Sequence, residues 1–263
     1  MNLKDKVAVI YGAGGAVGGA VARAFAAAGA RLYLTGHTAG PLDTIKAQVV
    51  AAGGFAEAAE VDALDEGEIE RHLDTVVARE AGVDIAFNAV GIRNTTLQGV
   101  ALTDLSVDQF VLPVETYVRS YFLTSRLAAR RMVPRGRGVI MTVTSTPART
   151  GIPLMGGVGP AMAAVEALTR NLSAELAPHG VRVVGLRPTG MPDSGTIKEV
   201  FGLHAKAWNM PWEAFADLIA ARSHPRRLSS LEEMANVAVF AASDSASGLT
   251  GTTLNLAMGA LDD

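Results

Sequence analysis

A glycine-rich turn near the start of the sequence has the residue types and spacing that could bind a phosphate. Gly12, Gly14, Gly15 and Gly18 follow an apolar run at 7–11 and precede an Ala-rich stretch. Glycine allows a tight turn and lets backbone amides approach a pyrophosphate, and a helix that begins there adds partial positive charge. The pattern indicates a dinucleotide site, although a tight strand-to-helix turn without a ligand uses the same residues.

The elements that must position this turn are short apolar runs alternating with longer helical stretches. Predicted strands lie at 7–11, 31–34, 84–87, 138–143, 181–186 and 253–256, with one more ending at 60–61, and predicted helices at about 17–28, 42–52, 66–79, 114–132 and 161–176. Near-continuous apolar strands between helices are typical of a parallel sheet covered on both faces. We therefore predict an α/β fold, a doubly wound parallel sheet of about seven strands, in a single domain over residues 1–263.

The composition excludes several classes of function. Lys and Arg number 23 against 26 Asp and Glu, giving a net charge of -3, so nucleic acid is not bound by bulk charge. The absence of cysteine excludes disulfides and thiol catalysis, and the histidines lack the spacing of metal ligands, so no metal site is predicted. No apolar run is long enough for a membrane span and residues 1–7 lead directly into a strand. We expect a soluble cytoplasmic protein.

Several motifs, in order along the chain, resemble those of the short-chain dehydrogenases/reductases, near the 3-oxoacyl-carrier-protein reductases. The glycine turn resembles TGxxxGxG, with Tyr11 for Thr and Ala16 for the middle Gly, and residues 84–91 (DIAFNAVG) resemble the strand DILVNNAG. Asp62–Ala63 resembles the adenine-binding Asp-Val pair. The resemblance implies a Rossmann-type fold that binds NAD or NADP. The implied contacts are Gly12, Gly14, Gly15, Val17, Gly18, His37, Asp62, Ala63, Asn88, Gly91 and Pro188.

The choice of nucleotide depends on the residues after the second predicted strand. Enzymes that prefer NAD usually present an acidic residue to the ribose there. Gly36 occupies that place, and His37 follows where relatives preferring NADP often carry Arg. Without a carboxylate at this position to repel a 2′-phosphate, the sequence slightly favours NADP over NAD, although a neutral His binds phosphate poorly.

The resemblance also implies hydride transfer between a carbonyl and an alcohol, catalysed by an Asn–Ser–Tyr–Lys tetrad. Ser145 keeps the Ser, but Val158 stands at the Tyr position, Met162 at the Lys position and Tyr117 at the Asn position. A phenol with an ordinary pKa of about 10 needs a nearby Lys⁺ to act at neutral pH. Val offers no proton and Met no charge. No Tyr or Lys lies between residues 151 and 177 to restore the pair.

Other departures surround this region. Pro160 predicts that its helix begins later than usual or is kinked, and Thr189 replaces the Gly of the family's Pro-Gly turn. Residues 191–224 correspond to the substrate lid. Apolar residues recur there at helical spacing, namely Trp208, Trp212, Phe215, Leu218 and Ile219. They suit a hydrophobic small molecule, a protein partner or packing onto the protein's own core.

Three functional hypotheses follow. The first is a nucleotide-binding homologue that has lost the usual carbonyl reduction, a pseudoenzyme serving as a regulatory or partner subunit. The second is an NADP-dependent oxidoreductase with an atypical acid, Tyr117 or a water on Ser145, although the sequence favours Tyr117 as a residue that fills space left by smaller neighbours, since no cation is evident to tune its pKa. The third is a cyclase, isomerase or lyase that reuses the pocket. The resemblance also implies a homotetramer or homodimer formed through the helices at 114–132 and 161–177.

Overall fold

The computed structural model describes residues 2–93 and 95–262, and these residues contain a seven-stranded parallel sheet. Its strands are β1 (Val7–Tyr11), β2 (Arg31–Gly36), β3 (Phe55–Glu60), β4 (Ile85–Asn88), β5 (Gly138–Val143), β6 (Val181–Pro188) and β7 (Thr252–Leu256). Their order across the sheet is β3-β2-β1-β4-β5-β6-β7. The strand order reverses between β1 and β4, and in such sheets ligands bind at the carboxyl ends beside that point. The predicted doubly wound fold is confirmed.

Helices cover both faces of the sheet. They are α1 (Ala16–Ala27), α2 (Ala39–Ala51), α3 (Glu66–Glu80), α4 (Val107–Met132), α5 (Val158–Leu176), α6 (Gly195–Ala207), α7 (Trp212–Ala220) and α8 (Leu231–Ala242). One core cluster joins the sheet to α1, α2 and α8, and a second joins its other face to α3 and α4. Burial on both faces explains why every residue of β1 is buried and apolar or aromatic. Within the described part of the chain, no helix is long and apolar enough to cross a membrane.

The two helices beside the predicted catalytic region begin earlier than predicted. α4 begins at Val107 rather than 114, because Ser106 and Gln109 form a reciprocal cap and Pro113 is accommodated inside the helix. α5 begins at Val158 rather than 161. Pro160 lies in the first turn, where a backbone N–H has no partner within the helix, so the expected late start is wrong and no kink is needed.

Residues 191–224 form two helices rather than one amphipathic run. Trp208 ends α6 as its C-terminal cap, and Trp212 begins α7. The two helices pack through buried Phe201 and Phe215, whose rings meet edge to face at 5.3 Å. Trp208 packs edge to face on Phe215 while remaining 41% exposed. Much of the apolar surface in this segment is therefore buried against itself.

A histidine on α3 makes stability depend on pH. The His72 ring packs edge-on against Tyr33, and burial lowers its pKa from 6.5 to about 4. Between these values the unfolded chain binds more protons than the folded chain, so stability falls as the pH drops below 6.5. We expect a loss of about 2 kcal/mol between about pH 7.5 and pH 5 from this residue. Urea denaturation at both pH values should show that His72→Gln removes most of this loss. An unchanged pH dependence in the variant would contradict the assignment.

Candidate functional site

The glycine turn is held by close backbone contacts on two sides. Gly12 has φ +72° at the end of β1, and a Cβ added there would lie 2.7 Å from the carbonyl oxygen of Ala89, just after β4. A Cβ at Gly18, in the first turn of α1, would collide with the carbonyl oxygen of Gly12. The missing side chains therefore let β1, β4 and the start of α1 come together at the carboxyl edge of the sheet.

A cleft of about 190 Å³ opens over this turn. It is lined by Gly12, Gly14, Gly15, Gly36, His37, Thr38, Pro41, Leu42, Val61, Ala63, Val90 and Gly91. Six of the residues that the sequence assigned to a nucleotide are among them: Gly12, Gly14, Gly15, His37, Ala63 and Gly91. The other assigned residues do not line the cleft: Val17, Gly18, Asp62, Asn88 and Pro188. Gly18 and Asp62 lie immediately beside it, Gly18 against Gly12 and Asp62 against His37.

Two carboxylates lie next to residues that line the cleft. β2 and β3 are parallel neighbours in which Gly36 pairs with Glu60. The Glu60 side chain reaches the start of α2, where Oε1 accepts a hydrogen bond from the Ala39 N–H at 3.0 Å. Asp62 Oδ1 lies 3.5 Å from Nε2 of His37. Glu60 comes from β3, so inspection of the residues after β2 alone misses it.

Asn88 is a structural support for the loop after β4. Its Nδ2 donates to Ser120 Oγ at 3.0 Å and to Thr124 Oγ1 at 2.9 Å, and its Oδ1 accepts from the Val90 N–H at 2.8 Å. The side chain is 3% exposed. These bonds tie α4 to the loop that faces Gly12, and so fix one wall of the cleft.

Three of the four residues that the sequence motifs align with the family's catalytic tetrad lie in an apolar cluster. Tyr117, Val158 and Met162 are each less than a tenth exposed and share one core cluster. Its other buried members are Leu97, Tyr121, Ala161 and Val165. Val158 and Met162 are one turn apart on α5, as a Tyr–Lys pair would be. Hydrocarbon and a thioether thus occupy both places.

Tyr117 is a weak proton donor in this environment. Burial raises the pKa of its phenol, while the Ile92 N–H, which donates to its oxygen at 3.5 Å, partly opposes that rise. A catalytic phenol needs the opposite shift, toward phenolate at neutral pH. Tyr121 is no better placed, because it is buried, its hydroxyl donates to the Val143 carbonyl at 2.8 Å, and burial raises its pKa as well.

Ser145 lies just beyond β5, half-buried, at the start of a short 3-10 turn. Beside it, the Thr144 hydroxyl donates to Glu166 Oε1 at 3.2 Å. Glu166 forms an ion pair with Arg187 at 3.1 Å, and both side chains are at most 2% exposed. The sequence analysis missed this buried pair, because α5 and β6 each carry more than one charged residue and the sequence alone does not show which of them are buried. The pair joins α5 to the end of β6.

The segment 191–224 packs against the chain after β6 and against the loop between β4 and α4. After Pro188 the chain passes Thr189, which is buried, and Gly190, where an added Cβ would lie 2.7 Å from the Phe201 ring. In addition, His204 Nε2 lies 3.2 Å from Gln98 Oε1, with both residues 3% exposed. Burial lowers the pKa of His204. A neutral His–amide contact therefore holds this segment against the loop between β4 and α4.

The strand order and the cleft at the glycine turn are those of a Rossmann-type fold, the kind that binds dinucleotides. A family model described as enoyl-(acyl carrier protein) reductase matches residues 12–260. The chain belongs to the short-chain dehydrogenase/reductase family, a family of NAD(P)-dependent oxidoreductases. The resemblance drawn from the sequence motifs is confirmed.

Curated relatives match along nearly the whole chain. The 7alpha-hydroxysteroid dehydrogenase of Escherichia coli (strain K12) is 28% identical over 263 residues, which cover 100% of this chain and 97% of that protein. The gluconate 5-dehydrogenase of Gluconobacter oxydans (strain 621H) is 29% identical over 259 residues, which cover 96% of this chain and 93% of that protein.

Solved structures agree with the fold. NAD+-bound xylitol dehydrogenase superposes with a TM-score of 0.92 at 25% identity, covering 98% of this chain and 100% of that one. An actinorhodin polyketide ketoreductase variant with NADPH superposes with a TM-score of 0.89 at 25% identity, covering 98% of this chain and 99% of that one. One neighbour is thus seen with NAD+ and another with NADPH, so the comparison leaves both nucleotides open for this chain.

Proposed function

We propose that the chain binds a nicotinamide nucleotide but does not carry out the Tyr- and Lys-dependent carbonyl reduction of its family. It would then act as a regulatory or partner subunit. The observation that carries the proposal is the apolar cluster around Val158 and Met162, at the positions where the family has its acid and its ammonium group. The glycine turn and the cleft are present beside it. The features for nucleotide binding are therefore retained, although the side chains for catalysis are replaced.

The residues present fit the diphosphate part of NAD(P). Gly12 and Gly18 allow β1, β4 and the start of α1 to approach closely, and this places the N-terminal end of α1 at the glycine turn that lines the cleft. When bound, the nicotinamide supplies or accepts a hydride. Carbonyl reduction also requires a proton for the carbonyl oxygen, and Val158 has none to give. Met162 provides neither a charge to stabilise a phenolate nor a donor for the ribose.

Binding and turnover can be measured separately on the purified protein. Titration with NADH and NADPH, followed by nucleotide fluorescence, should show saturable binding of at least one of them. A panel of carbonyl and alcohol substrates should then give no steady change in nucleotide absorbance. Sustained reduction at ordinary enzymatic rates, on the order of 1 per second or more, would contradict the loss of catalysis. Failure of both nucleotides to bind would remove the proposal altogether.

One observation favours a second candidate, an oxidoreductase with Tyr117 as its acid. A Cβ added at Gly91, which lines the cleft, would lie 4.0 Å from the Tyr117 oxygen, so the phenol reaches the border of the nucleotide site. The raised pKa of Tyr117 argues against this role. Should the substrate panel reveal turnover, loss of that turnover in both Tyr117→Phe and Ser145→Ala would establish the second candidate.

We further propose that residues 1–263 form one domain with 191–224 as its lid, and that the chain forms a homodimer or homotetramer. The lid assignment rests on the family resemblance, and the exposed face of Trp208, 41% exposed, is the apolar surface that this segment offers to a hydrophobic small molecule. For assembly, α4 exposes Leu112 and Phe122, each 42% exposed, which suits a helix packed on another copy of the chain.

A further inference from the structure

The end of β3 lies beside the end of β2, at the place where the adenosine ribose binds in folds of this kind. Gly36 pairs with Glu60 across the two strands, and the Val61 N–H donates to the Gly36 carbonyl at 3.0 Å. Gly36, His37 and Thr38 line the cleft. A side chain from the end of β3 can therefore serve the position that Gly36 leaves without one.

Glu60 occupies the anion position at the start of α2. Its Oε1 accepts the hydrogen bond from the N–H of Ala39, the first residue of the helix. Thr38, the N-terminal cap residue, makes no side-chain capping bond. Helix starts attract negative charge through their free amides and the helix dipole. Here the chain's own carboxylate already provides that charge.

The residues that line the cleft provide little positive charge to balance a second anion. His37 is the one basic residue among them, and its Nε2 faces Asp62 Oδ1 at 3.5 Å. A 2′-phosphate carries roughly -1.5 to -2 at neutral pH. Bound beside Glu60, it would meet a like charge, whereas a free 2′-hydroxyl can donate a charge-assisted hydrogen bond to a carboxylate.

We propose that Glu60 makes this cleft selective for NAD(H) over NADP(H). The inference rests on the proposed nucleotide binding and reverses the preference suggested by the residues after β2 alone. A specificity residue is thus supplied by the neighbouring strand, through the register of β2 and β3, instead of by the strand that carries it in typical NAD-dependent relatives.

Dissociation constants for NADH and NADPH, measured by fluorescence, test this directly. The native protein should bind NADPH at least about tenfold more weakly than NADH. Glu60→Gln keeps the shape of the side chain but removes its charge, so the ratio of the two constants should fall at least about fivefold, mainly through tighter NADPH binding. Glu57→Gln is the matched control, since Glu57 lies on the same strand but pairs with Arg79. It should leave the ratio unchanged.

Salt provides a second measurement that needs no variant. Because the discrimination comes from a partly exposed charge, the ratio should shrink between about 0.05 M and 0.5 M salt. Equal or tighter binding of NADPH by the native protein, or the same ratio in Glu60→Gln as in the native protein, would overturn the inference while leaving nucleotide binding intact. Binding of neither nucleotide to the native protein would overturn the proposed function and this inference with it.

Discussion

Gly18→Ala is expected to weaken nucleotide binding by about 100-fold or more, equivalent to about 2.7 kcal/mol. The new methyl group would collide with the carbonyl oxygen of Gly12, and that atom belongs to the backbone, so no side-chain rotation relieves the contact. Either the start of α1 or the turn must move, and the amides that would face the diphosphate move with it. Isothermal titration or fluorescence with NADH measures the loss.

A control must separate this effect from the general consequence of replacing a helical glycine. Gly202 is in α6, and a Cβ added there meets nothing within 4 Å. Gly202→Ala should therefore leave affinity unchanged and stabilise the protein by up to about 1 kcal/mol. If Gly18→Ala bound NADH as tightly as the native protein while remaining folded by circular dichroism, the glycine turn could not be the diphosphate site.

The sequence predicted the sheet well because parallel strands buried on both faces leave a clear apolar signal. β1 and β6 are examples, and their predicted positions agree closely with the observed strands. The helix starts were predicted less well. Pro113 lies inside α4 and Pro160 in the first turn of α5, and proline normally marks a helix boundary. The use of proline as a boundary signal therefore misplaced the starts of α4 and α5, because capping and tertiary packing determine where these helices begin.

Some features of the candidate site could also be predicted from the sequence, whereas others depend on the folded structure. The glycine turn and the proposed replacements at Val158 and Met162 could be read from the sequence, because each is a matter of residue type at a fixed spacing. The role of Glu60 was not, since it depends on the register between β2 and β3. Nor could the sequence place Leu97, which comes from the loop after β4 and is completely buried in the cluster with Met162.

Met162→Lys places an amine at the position that we propose corresponds to the family's catalytic Lys, and it should destabilise the protein by about 3 kcal/mol. Met162 is 5% exposed among hydrocarbon and aromatic side chains, so an ammonium group placed there loses its hydration without gaining a partner. Its pKa should fall below the ordinary value of about 10.4. The unfolded chain then binds more protons than the folded one, so the deficit should shrink as the pH rises toward about 10.

Urea denaturation of the native protein, Met162→Lys and Met162→Leu at several pH values distinguishes charge burial from lost packing. Met162→Leu conserves volume and should cost less than about 1.5 kcal/mol at every pH. Adding Val158→Tyr to Met162→Lys should not recover the loss, because Tyr117 and Leu97 already fill the cluster that the new ring would enter. A Met162→Lys protein as stable as the native one would mean that water or a counter-ion reaches this position. In that case water reaches the apolar cluster around Met162, and the result would favour a catalytic role for Tyr117.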